Sequence, residues 1–236
     1  MPTEAAVLDA LSGVRDPELD EPITELKFIS SLRVGGDSVD VRLRLPTPFC
    51  APNFAYLMAH DAREALLSVP GVREARVFLD DHHTADEINA GMAKGLGFDS
   101  TFDSFEETEG EDLDELRTIF RRKAFVSRQE RLCRALLADG YPPEELAGMR
   151  LDEIPASEAK EKYLSRREEL GLYVSADAPF VVDPDGNRVP EAAITQHLRF
   201  ARVTRLSIEA NAGFCRGVLA ARHKDTPGVS EKEATL

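Results

Sequence analysis

The 236-residue chain has no tryptophan, three cysteines and 7% aromatic residues. Cys50, Cys133 and Cys215 are an odd number of thiols spaced more than 80 residues apart, which excludes a disulfide framework and implies reduced thiols. Basic residues are outnumbered, 29 against 43 acidic, for a formal charge of -14. Such a chain repels phosphate at long range, and no concentrated basic face offsets this, so nucleic acid is not an expected partner. No run of about 18 apolar residues could span a bilayer. The first residues, MPTEAAVLDAL, form neither a cationic nor an apolar leader segment, so a cytoplasmic chain without a membrane partner is expected. Neither Gly-x-x-x-x-Gly-Lys-Ser/Thr nor Gly-x-Gly-x-x-Gly occurs, which argues against nucleotide chemistry. No Gly-x-Ser-x-Gly elbow or local cysteine-hydrolase signature is present, so no enzyme is expected. The five histidines lack His-x-x-x-His or His-Glu-x-x-His spacing, and any metal site would have to be assembled across space.

What is present is a chain with 42% apolar residues, enough for one sizeable core or two small ones. Val7, Leu8, Leu11 and Val14 predict a first helix ending at Asp16-Pro17. Leu26, Phe28, Leu32 and Val34 share one parity, and Val39, Val41, Leu43 and Leu45 alternate with polar residues. Gly35-Gly36-Asp37 between them predicts a hairpin. After the proline-rich stretch 46–52, Phe54, Leu57, Met58, Ala62, Ala65 and Leu66 predict a second helix, and Val72, Ala75, Val77 and Leu79 a third strand. Residues 1–81 thus form a small α-β-β-α-β domain. Between Asp99 and Glu115 there are nine acidic residues and no Lys or Arg, so residues 82–115 are expected to be an acidic linker. Residues 116–236 predict a mainly helical extension with one short β-hairpin at 180–189, centred on Asp183-Pro184-Asp185-Gly186. The last helical pattern runs from Pro190 to about His223, with Gly213 and Gly217 as the points where it would break. The end, 225–236, is polar enough to fray. The fold class is α+β.

Cys50 is the most informative residue, because a thiol at or just before a helix N-terminus feels the positive end of the helix dipole and unpaired N–H groups, which favour thiolate. It could attack, ligate or carry; the alternative is a small apolar plug at the start of the helix. Asp16 and Glu18, in Asp-Pro-Glu, are either a turn and N-cap or acidic partners of that thiol. Cys133 falls on an apolar stripe and is expected in a core. Cys215, His60 and His197 are weaker metal candidates. His82 and His83 follow the third strand, point to opposite sides and read as a surface turn. Arg199, Arg202, Arg205, Arg216 and Arg222 oppose the acidic stretch in sign and could hold it or a partner, the first three being the partner-binding candidates, unless they form a solvated face.

Asp16-Pro17-Glu18, Ile23-Thr24-Glu25-Leu26, the Gly-Gly-Asp hairpin, Thr47 and Cys50 ahead of a helix, and Gly71-Val72 ahead of the last strand are spread over the first 80 residues. In these features the segment resembles the small domain shared by cytosolic iron-sulfur assembly factors, the bacterial SufT proteins and the phenylacetate-degradation component PaaD. The resemblance implies a helper in assembling metal centres, with Cys50 as the reactive residue, the Asp16/Glu18 pair near it, and Thr47 and Asn53 in the supporting loop. Its implied cargo is iron, an iron-sulfur cluster or zinc, held transiently. Phe49 and Lys27 stand where that family commonly carries glycine, and a bulky Phe49 would narrow the approach to the thiol. The longer architecture is similar to accessory proteins encoded beside actinobacterial soluble di-iron monooxygenases of the propane-oxidising kind. Implied partners are a client metalloenzyme subunit, a di-iron hydroxylase before an iron-sulfur apoprotein, with a chaperonin and a second copy of the chain as further candidates. The rival readings are a client-specific folding chaperone without a metal role and a thiol-dependent enzyme.

Overall fold

The computed structural model describes residues 1–102 and 113–223. Most of the expected acidic linker's charge and the whole of the expected fraying end lie outside the described residues. The chain divides into two compact units: Met1–Leu113 together with the chain from Asn211 onward, and Asp114–Ala210.

In the first unit, helix α1 (Glu4–Ser12) starts at Thr3, whose hydroxyl caps the Ala6 N–H at 3.2 Å, and buries Val7 and Leu11. Strands β1 (Ile29–Gly35) and β2 (Ser38–Arg44) form the expected antiparallel hairpin, Gly36 taking a φ of 66° in its two-residue turn, a conformation that glycine adopts without a Cβ penalty. Leu26 and Phe28 are fully buried in the bend before β1 rather than in the strand. A bulge at Ser30 shifts the register between Ile29 and Ser31, so the expected parity does not run unbroken. Helix α2 (Pro52–Leu67) crosses over to β3 (Glu74–Asp80), which pairs parallel to β2 in the order β1-β2-β3. The sheet is therefore mixed rather than antiparallel throughout. Val39, Val41 and Leu43 of β2 and Ala75, Val77 and Leu79 of β3 enter the core beside Ala55, Met58, Ala62 and Leu66 of α2. The other face is wet and carries the Arg76–Asp40 and Arg42–Asp80 ion pairs, exposed enough to add little stability.

Residues 82–102 do not behave as a linker. They form α3 (Ala85–Lys94) and α4 (Phe98–Thr101), and Ile88, Met92, Phe98 and Phe102 join the first core. Gly91 lets them approach, since a Cβ there would meet the Thr101 hydroxyl at 2.2 Å.

The second unit is built on α5 (Leu113–Ala138), α6 (Pro143–Gly148), a 3-10 turn (Leu151–Glu153), α7 (Glu158–Glu169) and the first part of α8 (Glu191–His223). Its core holds Phe125, Leu132, Cys133, Leu146, Tyr163, Phe180, Val181 and Ile194. The expected hairpin at 180–189 is a single antiparallel bridge, Val182 to Arg188, because side chains take the place of a strand partner. Gln129, fully buried, accepts the Val182 N–H and donates to the Val182 carbonyl, both at 3.0 Å. Tyr163 donates to the Phe180 carbonyl at 2.7 Å, and Arg167 to that of Pro179 at 2.9 Å. Helix α8 runs unbroken through Gly213 and Gly217. Among the described residues no helix is long and apolar enough to cross a membrane.

Two predictions concern these units. Lys27 is exposed yet held at φ 60°, where a side chain costs about 1–2 kcal/mol and glycine only its greater unfolded freedom. Lys27→Gly should raise the urea stability of the first unit by about 0.5–1 kcal/mol; an unchanged or lower midpoint would contradict the strain. Gln129→Leu leaves buried backbone groups unpaired and should cost the second unit about 2–4 kcal/mol, read from the same denaturation curves.

Candidate functional site

In a parallel pair, both strands leave the sheet at the same end. Arg44 of β2 lies opposite Asp80 of β3, so the loops that follow, 45–51 and 81–84, emerge side by side. Pro46, Pro48 and Pro52 restrict the first loop. Within it the Thr47 hydroxyl accepts the Phe49 N–H at 3.2 Å and lies 3.6 Å from the Cys50 sulfur. The second loop turns at Asp81, φ 52°, and sends His82 inward. His82 Nδ1 accepts the Thr84 N–H at 3.2 Å, leaving Nε2–H to donate to the Cys50 carbonyl at 2.8 Å. His83 adds its backbone N–H and its ring Nδ1 to the Pro48 carbonyl, at 3.0 and 2.8 Å. Burial holds the His82 imidazole below its usual pKa, against the bond to Cys50 and assisted by His83, which suits the neutral form that this clasp requires. The expected surface turn is thus the anchor of the Cys50 loop.

Cys50 itself is half-buried, just before α2, where Ala51 caps without a side-chain bond. Asn53 Oδ1 accepts the Phe54 N–H at 2.9 Å in the first turn of α2. Phe49 is 79% exposed and tilts against His83 with ring centroids 5.8 Å apart, so its ring is a solvent-facing neighbour of the thiol loop rather than part of the core.

A third segment carries the carboxylates. Asp16 Oδ1 accepts the N–H groups of Glu18 and Leu19, each at 2.9 Å, the expected capping turn. Asp16 is only 8% exposed. Burial raises its pKa to about 6; the two backbone bonds oppose this, while Glu18 and Glu21 add to it. Helix α8 closes over this bend from Asn211 on. Asn211 donates to Glu18 at 3.1 Å, Arg216 pairs with Glu21, and Arg222 donates to the carbonyls of Leu45 and Pro46 at 2.7 and 3.0 Å. Ala212 and Leu219 enter the first core. The half-buried Cys215 sits on the same stretch, its thiol pushed up to about 11 by burial, then by Asp16, Cys50 and Glu18, with Arg216 opposing.

The structure therefore brings Cys50, Thr47, Asp16, Glu18 and Cys215 into one region. His60 is elsewhere on α2, stacked on Tyr56 at 5.9 Å and beside Asp61. His197 belongs to the second unit, where it accepts from Gln129 Nε2 at 2.9 Å. Arg199 and Arg202 are exposed. Arg205, expected on a partner-binding face, is instead buried between Glu130 and Glu209, where three charges satisfy one another. Among the described residues no three His, Cys, Asp or Glu side chains are arranged to enclose a metal ion. The residues the sequence did not single out for the site are His82, His83, Asn211 and Arg222. For the histidines a signal exists: they directly follow a strand that pairs parallel to the one preceding the Cys50 loop.

The family model described as iron-sulfur cluster assembly protein matches residues 4–77. The chain is 40% identical over 72 residues to the iron-sulfur cluster carrier protein of Deinococcus radiodurans, covering 30% of this chain and 20% of that protein. It is 35% identical over 77 residues to the iron-sulfur cluster carrier protein of a Synechocystis species, covering 33% and 21%. It is also 35% identical over 91 residues to an uncharacterized protein of Methanocaldococcus jannaschii, covering 38% of this chain and 93% of that protein. The chain spans about one fifth of the length of the two carrier proteins.

The buried acid gives a pH-dependent prediction. The pKa of Asp16 in the folded chain, about 6, lies above the ordinary aspartate value of 3.8. Folding therefore binds extra proton between these values, and stability falls as pH rises through that window. Asp16→Asn keeps the accepting oxygen and removes the charge. It should stabilise the first unit by about 1–3 kcal/mol at pH 7.5 and by almost nothing at pH 3.5, measured by urea denaturation; a pH-independent difference would contradict the assignment.

Proposed function

Through residues 4–77 the chain belongs to the iron-sulfur cluster assembly family, and from that membership we propose that it is a non-enzymatic maturation factor that holds iron or an iron-sulfur cluster at Cys50 and passes it to a client metalloenzyme. The observation that carries this reading is the placement of the Cys50 thiol: half-buried, fixed through its carbonyl by His82, and near a buried carboxyl that retains its proton up to about pH 6. A cluster kept permanently takes four thiolates as a rule. A site with fewer protein sulfurs leaves iron positions open, so client cysteines can replace the carrier's by ligand exchange. That is the coordination a hand-over requires. The exposed Phe49 ring beside the thiol loop supplies an apolar contact for the docking client.

The client we propose is the hydroxylase of a soluble di-iron monooxygenase, with an iron-sulfur apoprotein second. What supports this order is the similarity of the longer architecture to accessory factors of such monooxygenases, together with a second unit outside the family segment that could serve the client specifically. On transfer, iron bonds to the carrier sulfur are exchanged for bonds to client ligands, the freed thiolate takes a proton, and no electron changes hands.

The test is anaerobic reconstitution of the full chain with iron and sulfide, followed by transfer to an apo-ferredoxin monitored by visible absorbance. Cys50→Ala should lower the transfer rate at least about ten-fold with an unchanged far-UV circular dichroism spectrum. Transfer at the wild-type rate by that variant would contradict the role of the thiol.

A further inference from the structure

We propose that Cys215 is the second thiol of the Cys50 site, so that α8 supplies from outside the family segment a sulfur ligand for the same iron-sulfur cargo. This rests on the carrier reading and adds a residue to it. Asn211, Cys215, Leu219 and Arg222 fall within about 80° of helix surface at 100° per residue. The ends of that face are pinned by independent contacts. Asn211 reaches Glu18 on the bend that carries Asp16, and Arg222 holds the carbonyls of Leu45 and Pro46 on the loop that leads to Cys50. Leu219 is buried in the first core, against which both Cys50 and Cys215 pack. Cys215 therefore lies between the acidic bend and the thiol loop.

The groups gathered there are short of positive charge. Asp16 is nine-tenths buried, its Oδ1 held by the Glu18 and Leu19 N–H groups, and Cys215 is half-buried. Arg216, the nearest guanidinium, is engaged by Glu21. A bound cation stabilises the thiolates and displaces the thiol protons. Two sulfurs, with no third ligand enclosing an ion among the described residues, hold cargo more firmly than one and still leave positions for a client to enter.

A probe that needs two neighbouring thiols tests the juxtaposition without any cluster. Phenylarsine oxide converts its As=O bond into two As–S bonds; the two thiol protons leave with the oxygen as water, and arsenic remains trivalent. The reduced full chain should bind one equivalent. Cys50→Ser, Cys215→Ser and Cys215→Ala should each weaken binding at least ten-fold while keeping the wild-type circular dichroism spectrum. Where the serine variant misfolds, the alanine variant decides. Binding that survives the loss of Cys215, or no one-to-one binding by the wild-type chain, overturns the proposal. The Cys215 variants should also load less iron and sulfide than the wild type. Loading and transfer that fail only in Cys50→Ala would overturn this inference and leave the carrier reading standing. Tight arsenical binding by a chain that carries no cluster would overturn the carrier reading and with it the ligand role of Cys215, leaving only the pairing of the two thiols.

Discussion

Parallel pairing of β2 with β3 determines where everything else in the first unit can act. It places the ends of two strands next to each other, so the loop leading to Cys50 and the loop carrying His82 meet at one edge of the sheet. The hydrogen bond from His82 Nε2 to the Cys50 carbonyl then fixes the backbone that presents the sulfur. An antiparallel β3 would leave the sheet at the opposite end, and no such clasp could form. The prolines flanking Cys50 remove remaining freedom, and the thiol is held in place before any ligand arrives, which lowers the entropic cost of capture.

The same region is stabilised less than it could be. Asp16 is buried, and its charged form is disfavoured chiefly by that burial, with Glu18 and Glu21 adding to it. A residue chosen only for the turn would be asparagine, which accepts the same two N–H bonds without a charge. Retaining a carboxyl there costs stability at neutral pH, and under the proposed carrier function it leaves the site ready to take positive charge. Loss of stability at a functional locus is a common trade. The second unit shows the contrasting solution: Arg205 is buried between the buried Glu130 and the partly exposed Glu209, and Gln129 has every polar atom bonded.

Local signals were legible in the sequence. The Gly35-Gly36-Asp37 turn, the alternation of β2 and the helix beginning after Cys50 all depend on neighbours close along the chain. Signals that depend on distant partners were not. Acidity suggested a linker from residue 82, yet Ile88, Met92, Phe98 and Phe102 had a core to join. The Asp183-Pro184-Asp185-Gly186 turn suggested two strands, yet Gln129 and Tyr163 satisfy the backbone that a second strand would have paired. Arg205 read as surface because its glutamate partner is 75 residues away. Within the site, Cys50 and Asp16 could be named from motif and position, whereas Cys215 stood out only once α8 was seen to return to the first unit.

A family domain and a helical unit outside the matched segment thus share one chain, and α8 contributes to both. The most direct measurement of the central claim is iron K-edge X-ray absorption on the full chain loaded anaerobically with ferrous iron. Sulfur should appear in the iron coordination shell of the wild-type protein and be clearly reduced in Cys50→Ala. A shell of oxygen and nitrogen alone in the wild type, or a sulfur shell unchanged by that substitution, would contradict the account.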